Sequence, residues 1–365
     1  MDAAVTIGVD VGTTSVKAVP VRADGSVLAT ARVEHPVLTP QPNVLEHDAR
    51  VAWREGVLVA ARRVADAAVA AGARVAAVNV AAMVPSLCPV DADGVPVGPG
   101  LLYGDERAKG GERGLDPSQD GELVRMLTWL AAQYPGAAGY WPAQAVPTAA
   151  VCGTRVIHSV TPLTPLPLFD FTGWDPAVCA EAGVRPDQLP EIRSGSDPAG
   201  VCTQAAGPSL AGAVVGGGTI DAFGEQLVAG ADHDGDVLLI MGATLITWAC
   251  VPEWIEAPGL WTVPHTAPGK SLVGGPSNAG GILRNWAATV FLPPDGHADR
   301  VDPVDVPVVL PYVRGERTPL HDRDRRGSVH GLSVAHGPDA VWRAVFGASG
   351  HSVRHHLDLA GLLAG

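Results

Sequence analysis

The feature that most limits what this chain can fold into occurs twice. Residues 7–18 read IGVDVGTTSVKA, and residues 236–251 read DVLLIMGATLITWACV. Each is an apolar strand, a tight turn built on a glycine and a threonine, and a second apolar strand. Gly12 aligns with Gly242 and Thr14 with Thr244, while Asp10 aligns with Ile240. One strand–turn–strand device in both halves of a chain points to a duplicated domain core.

A tight turn of small residues presents several backbone N–H groups to one point, and threonine hydroxyls add donors. Such a turn cradles phosphate oxygens. Neither copy has the G-x-x-x-x-G-K-[ST] spacing and neither opens a helix, which excludes a P-loop and a Rossmann fingerprint. By itself the turn also reads as a plain hairpin. Asp10 shifts the balance, because a carboxylate in a core strand is costly unless paired or near a cation. Beside a phosphate turn the natural cation is Mg²⁺, held directly or through water.

Around these segments the apolar spacing predicts alternating strands and helices. TIGVDVG, SVKAVPVR and SVLATARV read as three consecutive strands, with GTT and ADG as the turns. Residues 48–72 read as an amphipathic helix that Asp48 caps and Gly72 ends. RVAAVNVAAMV, residues 74–84, is apolar and β-branched enough for a strand buried on both faces. Helices are expected over 122–134 and 174–183, the latter with Asp175 near its start. Between them, residues 159–173 carry four prolines and are expected to be irregular, lining a surface or a cleft. From residue 213 the chain reads as a strand, a glycine-rich bend and a short helix before the second turn segment.

Composition removes several function classes. With 365 residues and 47% hydrophobic content the chain can bury a substantial core, in two domains expected at 1–229 and 230–365. Its net charge of −13, with scattered Lys and Arg, argues against nucleic-acid binding. No signal-peptide pattern or membrane-length apolar run is seen, so the expected location is the cytoplasm. Cys88, Cys152, Cys179, Cys202 and Cys250 form no C-x-x-C pair and read as buried small hydrophobes. His233, His321, His330, His355 and His356 lack ligand spacing, so no metal is assigned to them.

The ordered blocks DVGTTSVKAV, DADG…YGDERA, GGGTIDAFGEQLVAG, MGATLITW, NAGGILRNW and PYVRGERTPLHDRDRRGSVHGLSVAH resemble the FGGY carbohydrate kinases, xylulokinase-like branch. The VRGERTPLHD…RG…GL block is the most specific; the first is shared more loosely with actin-like and Hsp70-like ATPases. The resemblance implies an α/β fold of two ribonuclease-H-like (actin-like ATPase) domains around a cleft. It implies ATP-dependent phosphorylation of a hydroxyl of a ketose, sugar acid or polyol, with Mg²⁺. Asp221, which as a bare residue reads as a helix N-cap, becomes the general base. Asp10 orients the metal, Gly12, Thr13 and Thr14 take the transferring phosphoryl group, and Gly242, Ala243 and Thr244 take the nucleotide phosphates. Lys17 is assigned a structural place in its strand. Arg314, Glu316 and Arg317 are read as an ion-pair cluster that pins a loop.

Two departures from the family pattern bear on function. Where xylulokinases carry Gln-Met-His-Gly after the strand near residue 82, this chain has Met83, Val84, Pro85 and Ser86. Losing that histidine puts xylulose in doubt; Met83, Val84 and Pro85 remain as substrate-facing positions, with Asp105 as a hydroxyl acceptor. The chain also reads as lacking the C-terminal adenosine-binding part, so the second domain is expected to be incomplete and VLLIM to form an open sheet edge. The rival readings are a truncated, non-catalytic family member that binds sugar or a partner, and an actin-like or chaperone-type ATPase. The expected partners are a small sugar and ATP, with no nucleic acid or membrane and with a homodimer as a candidate assembly.

Overall fold

The computed structural model describes residues 3–41, 44–102, 105, 107, 122–158, 167–169, 172–193, 197–242, 244–266, 269–322 and 324–363. The chain divides into two compact units, one reaching Glu225 and the other starting at Gln226. The division falls slightly ahead of the boundary the sequence suggests.

In the first unit, β1 (Ala3–Val11), β2 (Ser15–Arg22) and β3 (Ala31–Glu34) form the antiparallel meander that the alternating apolar residues require. After β4 (Glu46–Asp48), a π-helical turn over Arg50–Glu55 leads into α1 (Gly56–Ala70). Asp48 does cap this start, accepting the Val51 N–H at 3.1 Å. Then β5 (Ala73–Ala82) returns parallel to β1. Val5, Ile7, Val9 and Val11 share one core with Val57, Ala60, Ala61 and Val64 of α1. This β1–β2–β3–α1–β5 arrangement is the ribonuclease-H-like core, with β1 held between β2 and β5.

A second layer of structure is inserted after β5. β6 (Ser86–Val90), β7 (Pro99–Leu102) and, after α2 (Glu122–Gln133), β8 (Gly139–Trp141) join β4 in a sheet ordered β4-β7-β6-β8. Met126, Leu127 and Leu130 of α2 pack with Leu87 and Leu101 of that sheet in a core of their own. α3 (Ala145–Cys152) follows, then the parallel pair β9 (Val156–His158) and β10 (Glu191–Arg193), with α4 (Pro176–Glu181) between them. Asp175 caps α4 by accepting the N–H groups of Ala177 and Val178. The expectation of an irregular segment at 159–173 falls mostly outside the described residues.

The chain then re-enters the first sheet through β11 (Gly200–Val201), β12 (Val214–Val215) and β13 (Thr219–Ile220), and continues into α5 (Asp221–Ala229). Both β12 and β13 pair parallel with β5. The expectation that β5 is buried on both faces needs correcting. Val75, Val78 and Val80 are buried while Arg74 and Asn79 are exposed, so the strand is two-sided.

The second unit repeats the opening device. β14 (Val237–Met241), β15 (Leu245–Val251), β16 (Trp261–Pro264) and β17 (Ser271–Ser277) form an antiparallel sheet ordered β14-β15-β17-β16. Among the described residues β14 pairs only with β15, so VLLIM lies on the sheet edge, with Val237, Leu239 and Met241 exposed. α6 (Gly281–Val290), the hairpin of β18 (Val308–Leu310) and β19 (Ser328–His330), and α7 (Pro338–Leu359) complete the unit. Leu283 and Ala287 of α6 pack against Trp342 and Val345 of α7. No helix of the described residues is long and apolar enough to cross a membrane. All five cysteines are buried, as small hydrophobes should be.

One glycine in this sheet has no substitute. Gly274 sits at φ +150°, and a Cβ there would stand 2.0 Å from the Thr247 carbonyl oxygen of β15. A backbone atom of a paired strand cannot step aside cheaply. Gly274→Ala is expected to destabilise the second unit by about 3 kcal/mol, the upper range for overpacking. Urea titration followed by tryptophan fluorescence will show it as a lower midpoint.

Candidate active site

In the first unit, parallel pairing brings the sequence-predicted groups to one edge. Asp10 lies level with Ala81 of β5, and on the other side of β5 Thr219 is also level with Ala81. Thus β1 and β13 flank the end of β5, Asp10 and Thr219 stand two inter-strand spacings apart, roughly 10 Å, and Asp221 follows Thr219 by two residues. The C-terminal ends of parallel strands are where open α/β sheets bind ligands. Here those three ends carry Asp10, Gly12, Thr13 and Thr14 from β1, Val84 and Pro85 after β5, and Asp221 after β13.

The turn after β1 is a three-residue connection. The Gly12 N–H donates to the Ser15 carbonyl at 3.1 Å, and a Cβ on Gly12 would crowd that carbonyl at 3.3 Å. Gly242, Ala243 and Thr244 connect β14 to β15 in the second unit, where the Gly242 N–H donates to the Thr244 carbonyl at 3.0 Å. The Gly281 N–H, at the start of α6, donates to the Gly242 carbonyl. Ala243 itself lies outside the described residues. In both turns the glycine N–H closes the loop onto a carbonyl, but the acceptor lies three residues on in the first turn (Ser15) and two on in the second (Thr244), so the second turn is one residue tighter.

Asp10 is not buried in the core, contrary to the cost argument made from its strand. Strand alternation turns Val9 and Val11 inward and Asp10 outward, where its side chain is 41% exposed. Its Oδ2 accepts from Lys17 Nζ at 3.1 Å, and the two residues are cross-strand partners. Lys17 is thus the pairing cation for Asp10 in the strand register.

The glycines before Asp221 let the backbone thread between β5 and β9. Asn79 Oδ1 of β5 accepts the Gly218 N–H at 3.1 Å, and the Gly217 carbonyl accepts the His158 N–H at 2.9 Å. Gly218 is at φ +78°, and side chains at 216 or 218 would press on Asn79 and Gln144. Asp221 opens α5 and caps only its neighbour, accepting the Ala222 N–H at 2.8 Å. Asp221 is exposed to solvent, yet nearby protein still displaces part of its hydration. Loss of hydration raises its pKa above the usual carboxylate value, the Ala222 N–H opposes this, and repulsion from Asp10 adds to it.

Sequence reasoning missed two groups here. Glu225 lies one helical turn beyond Asp221 on α5, and its pKa is also raised, by desolvation first and then by Asp221 and Asp10. The i,i+4 spacing was the available signal. Asn79 was the one polar residue after Arg74 in an otherwise apolar strand.

Two substrate-facing expectations are corrected. Met83 is only 4% exposed, and its side chain packs in the main core rather than on an open surface. Val84 and Pro85 do line a small apolar concavity with Leu127, Tyr140 and Trp174. Asp105 is fully buried and already engaged. Its oxygens accept from the Leu45 N–H and from the Arg107 backbone and guanidinium, and Arg107 also pairs with Glu46 and stacks on Trp129. Asp105 therefore organises Arg107 and the chain near β4.

In the second unit the GERTP loop is pinned, but not by the ion pairs that its arginines suggested. Glu316, 2% exposed, accepts from Ser277 Oγ, the Asn278 N–H and the Arg317 N–H at 2.7–2.9 Å. Asn278 Nδ2 donates to the Arg314 carbonyl, and Arg317 stacks over Trp261.

Comparison with known proteins gives this geometry its relatives. Residues 5–137 match the N-terminal domain of the FGGY family of carbohydrate kinases. Over these residues the chain resembles that family's N-terminal domain. A glycerol kinase of Nocardia farcinica is 32% identical over 236 residues, 57% of this chain and 46% of that protein. The match thus spans about half the length of that relative. The xylulose kinase of Rhodospirillum rubrum superposes with a TM-score of 0.83 at 25% identity, covering 98% of this chain and 79% of that one. Glycerol kinase of Plasmodium falciparum, solved with ADP, shares the fold with a TM-score of 0.85 at 14% identity, over 99% and 80% of the two chains. The α/β fold is that of the sugar kinases, with their actin-like ATPase architecture.

Proposed function

We propose that this chain serves ATP-dependent phosphorylation of a hydroxyl of a small sugar (a ketose, sugar acid or polyol), with Asp221 as the general base. The observation that carries the reading is the placement of Asp10, the Gly12–Thr14 turn and Asp221 at the ends of two parallel strands that flank β5. The names of the relatives, xylulose kinase, gluconokinase and glycerol kinase, span these three substrate classes.

Asp221 has the environment a base needs. Its pKa is raised, which strengthens it as a proton acceptor, and the carboxylate is open to a ligand. It takes the proton of the sugar hydroxyl as that oxygen attacks the γ-phosphoryl group. The N–H groups and hydroxyls of Gly12, Thr13 and Thr14 hold the oxygens of the moving group, while Gly242, Ala243 and Thr244 serve the nucleotide phosphates. Most of the rate then comes from positioning.

Mg²⁺ fits the donors present. Among the described residues no three ligating side chains converge on one point. Mg²⁺ in phosphoryl-transfer sites usually keeps several waters and binds one or two carboxylates plus phosphate oxygens. Asp10, partly exposed beside the turn, is the carboxylate that would hold it; bound there, the ion neutralises phosphate charge. The experiment is ADP release from Mg-ATP over a panel of ketoses, sugar acids and polyols. Sugar-dependent release supports the reading, and equal release with no sugar favours a plain ATPase.

A further inference from the structure

The turn after β1 is held from behind by side chains that the reaction itself does not use. His47, on β4, is wholly buried. Trp53 Nε1 donates to His47 Nδ1 at 3.0 Å, and His47 Nε2 lies 2.8 Å from the Thr13 carbonyl oxygen. An indole N–H can only donate, so Nδ1 must be the bare nitrogen and Nε2 must carry the proton. The tautomer follows from the partners.

The seat of the indole is equally specific. Gly100 of β7 is the cross-strand partner of His47, and a Cβ on it would stand 2.4 Å from the Trp53 ring. The His35 ring packs edge-on against His47 at 4.5 Å, and the His35 backbone N–H donates to the Thr14 carbonyl at 3.0 Å. Two successive carbonyls of the turn are therefore tied down.

We propose that His47 is a positioning residue for the phosphate turn: locked by Trp53, its Nε2–H fixes the Thr13–Thr14 peptide plane. In a trans peptide the carbonyl and the following N–H point in opposite directions. Drawing the Thr13 oxygen toward His47 aims the Thr14 N–H away from it. The proposal rests on the reading of Gly12–Thr14 as the turn that takes the transferring phosphoryl group. A neutral ring is required, since an imidazolium would set N–H against N–H at Trp53. Burial supplies that neutrality, holding the His47 pKa near 4, while the other titratable ring against it, His35, is also lowered by burial.

The test has two arms. Nitrogen-15 NMR of the imidazoles, from pH 8 to pH 5, should show His47 with a protonated Nε2 and a bare Nδ1 throughout, and Trp53→Phe should relax that preference. In kinetics, His47→Leu should lower kcat toward about 10²-fold, the scale of a misplaced catalytic group, with sugar affinity within twofold. His47→Gln, which keeps a donor, should recover most of the loss even if His47→Leu folds poorly. A protonated Nδ1 in an active enzyme would overturn the assignment alone, and so would equal losses in both variants. The correct tautomer in a protein with no phosphoryl transfer would overturn the proposed function and, with it, the role of His47.

Discussion

Asp221→Asn is expected to lower sugar-dependent phosphoryl transfer by 10³–10⁴-fold, the upper part of the general-base range of about 10²–10⁴, while sugar binding stays close to wild type. The amide keeps the shape and the hydrogen bond to the Ala222 N–H but cannot take a proton. A pH profile sharpens the test. The base must be deprotonated, so kcat/KM should rise with pH through the pKa of Asp221. Desolvation and Asp10 raise that pKa, so the rise should centre above the ordinary carboxylate value. The limb should vanish in Asp221→Asn. Near-normal turnover in that variant would remove Asp221 from the mechanism.

Asp10→Ala should weaken the Mg²⁺ response of the enzyme by about 10²-fold, the larger loss seen when a metal-orienting group is removed, with little change in sugar affinity. Stability should hardly move. Asp10 and Lys17 are an exposed pair, 41% and 54% accessible, and such pairs contribute between nothing and about 1 kcal/mol. Lys17→Met separates the two roles, because it breaks the pair and leaves the carboxylate. Losing the negative charge of Asp10 should also shift the Asp221 limb to lower pH. Mg²⁺ titration of the three proteins checks this; a change in sugar affinity alone would place Asp10 at the sugar.

Much of this was legible in the sequence because it depends on local chemistry. Alternation in TIGVDVG, a glycine where Ser15 O and Gly12 meet, and the GGG run before Asp221 each dictate backbone paths. The sheet β4-β7-β6-β8 was not legible. Its strands are short, SLCPV and PGLL contain proline, and only packing against α2 makes them a sheet. Side-chain direction was the other blind spot. Position in a motif does not reveal that Met83 turns into the core or that Asp105 is saturated by Arg107. Nor does a strand pattern reveal that Lys17 stands opposite Asp10; register decides that.

The most direct test of the central claim is one assay on the full product of the gene: Mg-ATP turnover with and without each sugar, for wild type and Asp221→Asn, with sugar binding measured calorimetrically on the same preparations. The account predicts ADP release that depends on at least one ketose, sugar acid or polyol, and its loss in Asp221→Asn with binding retained. Sugar-dependent release that survives the substitution, or sugar binding that disappears with it, would contradict the account.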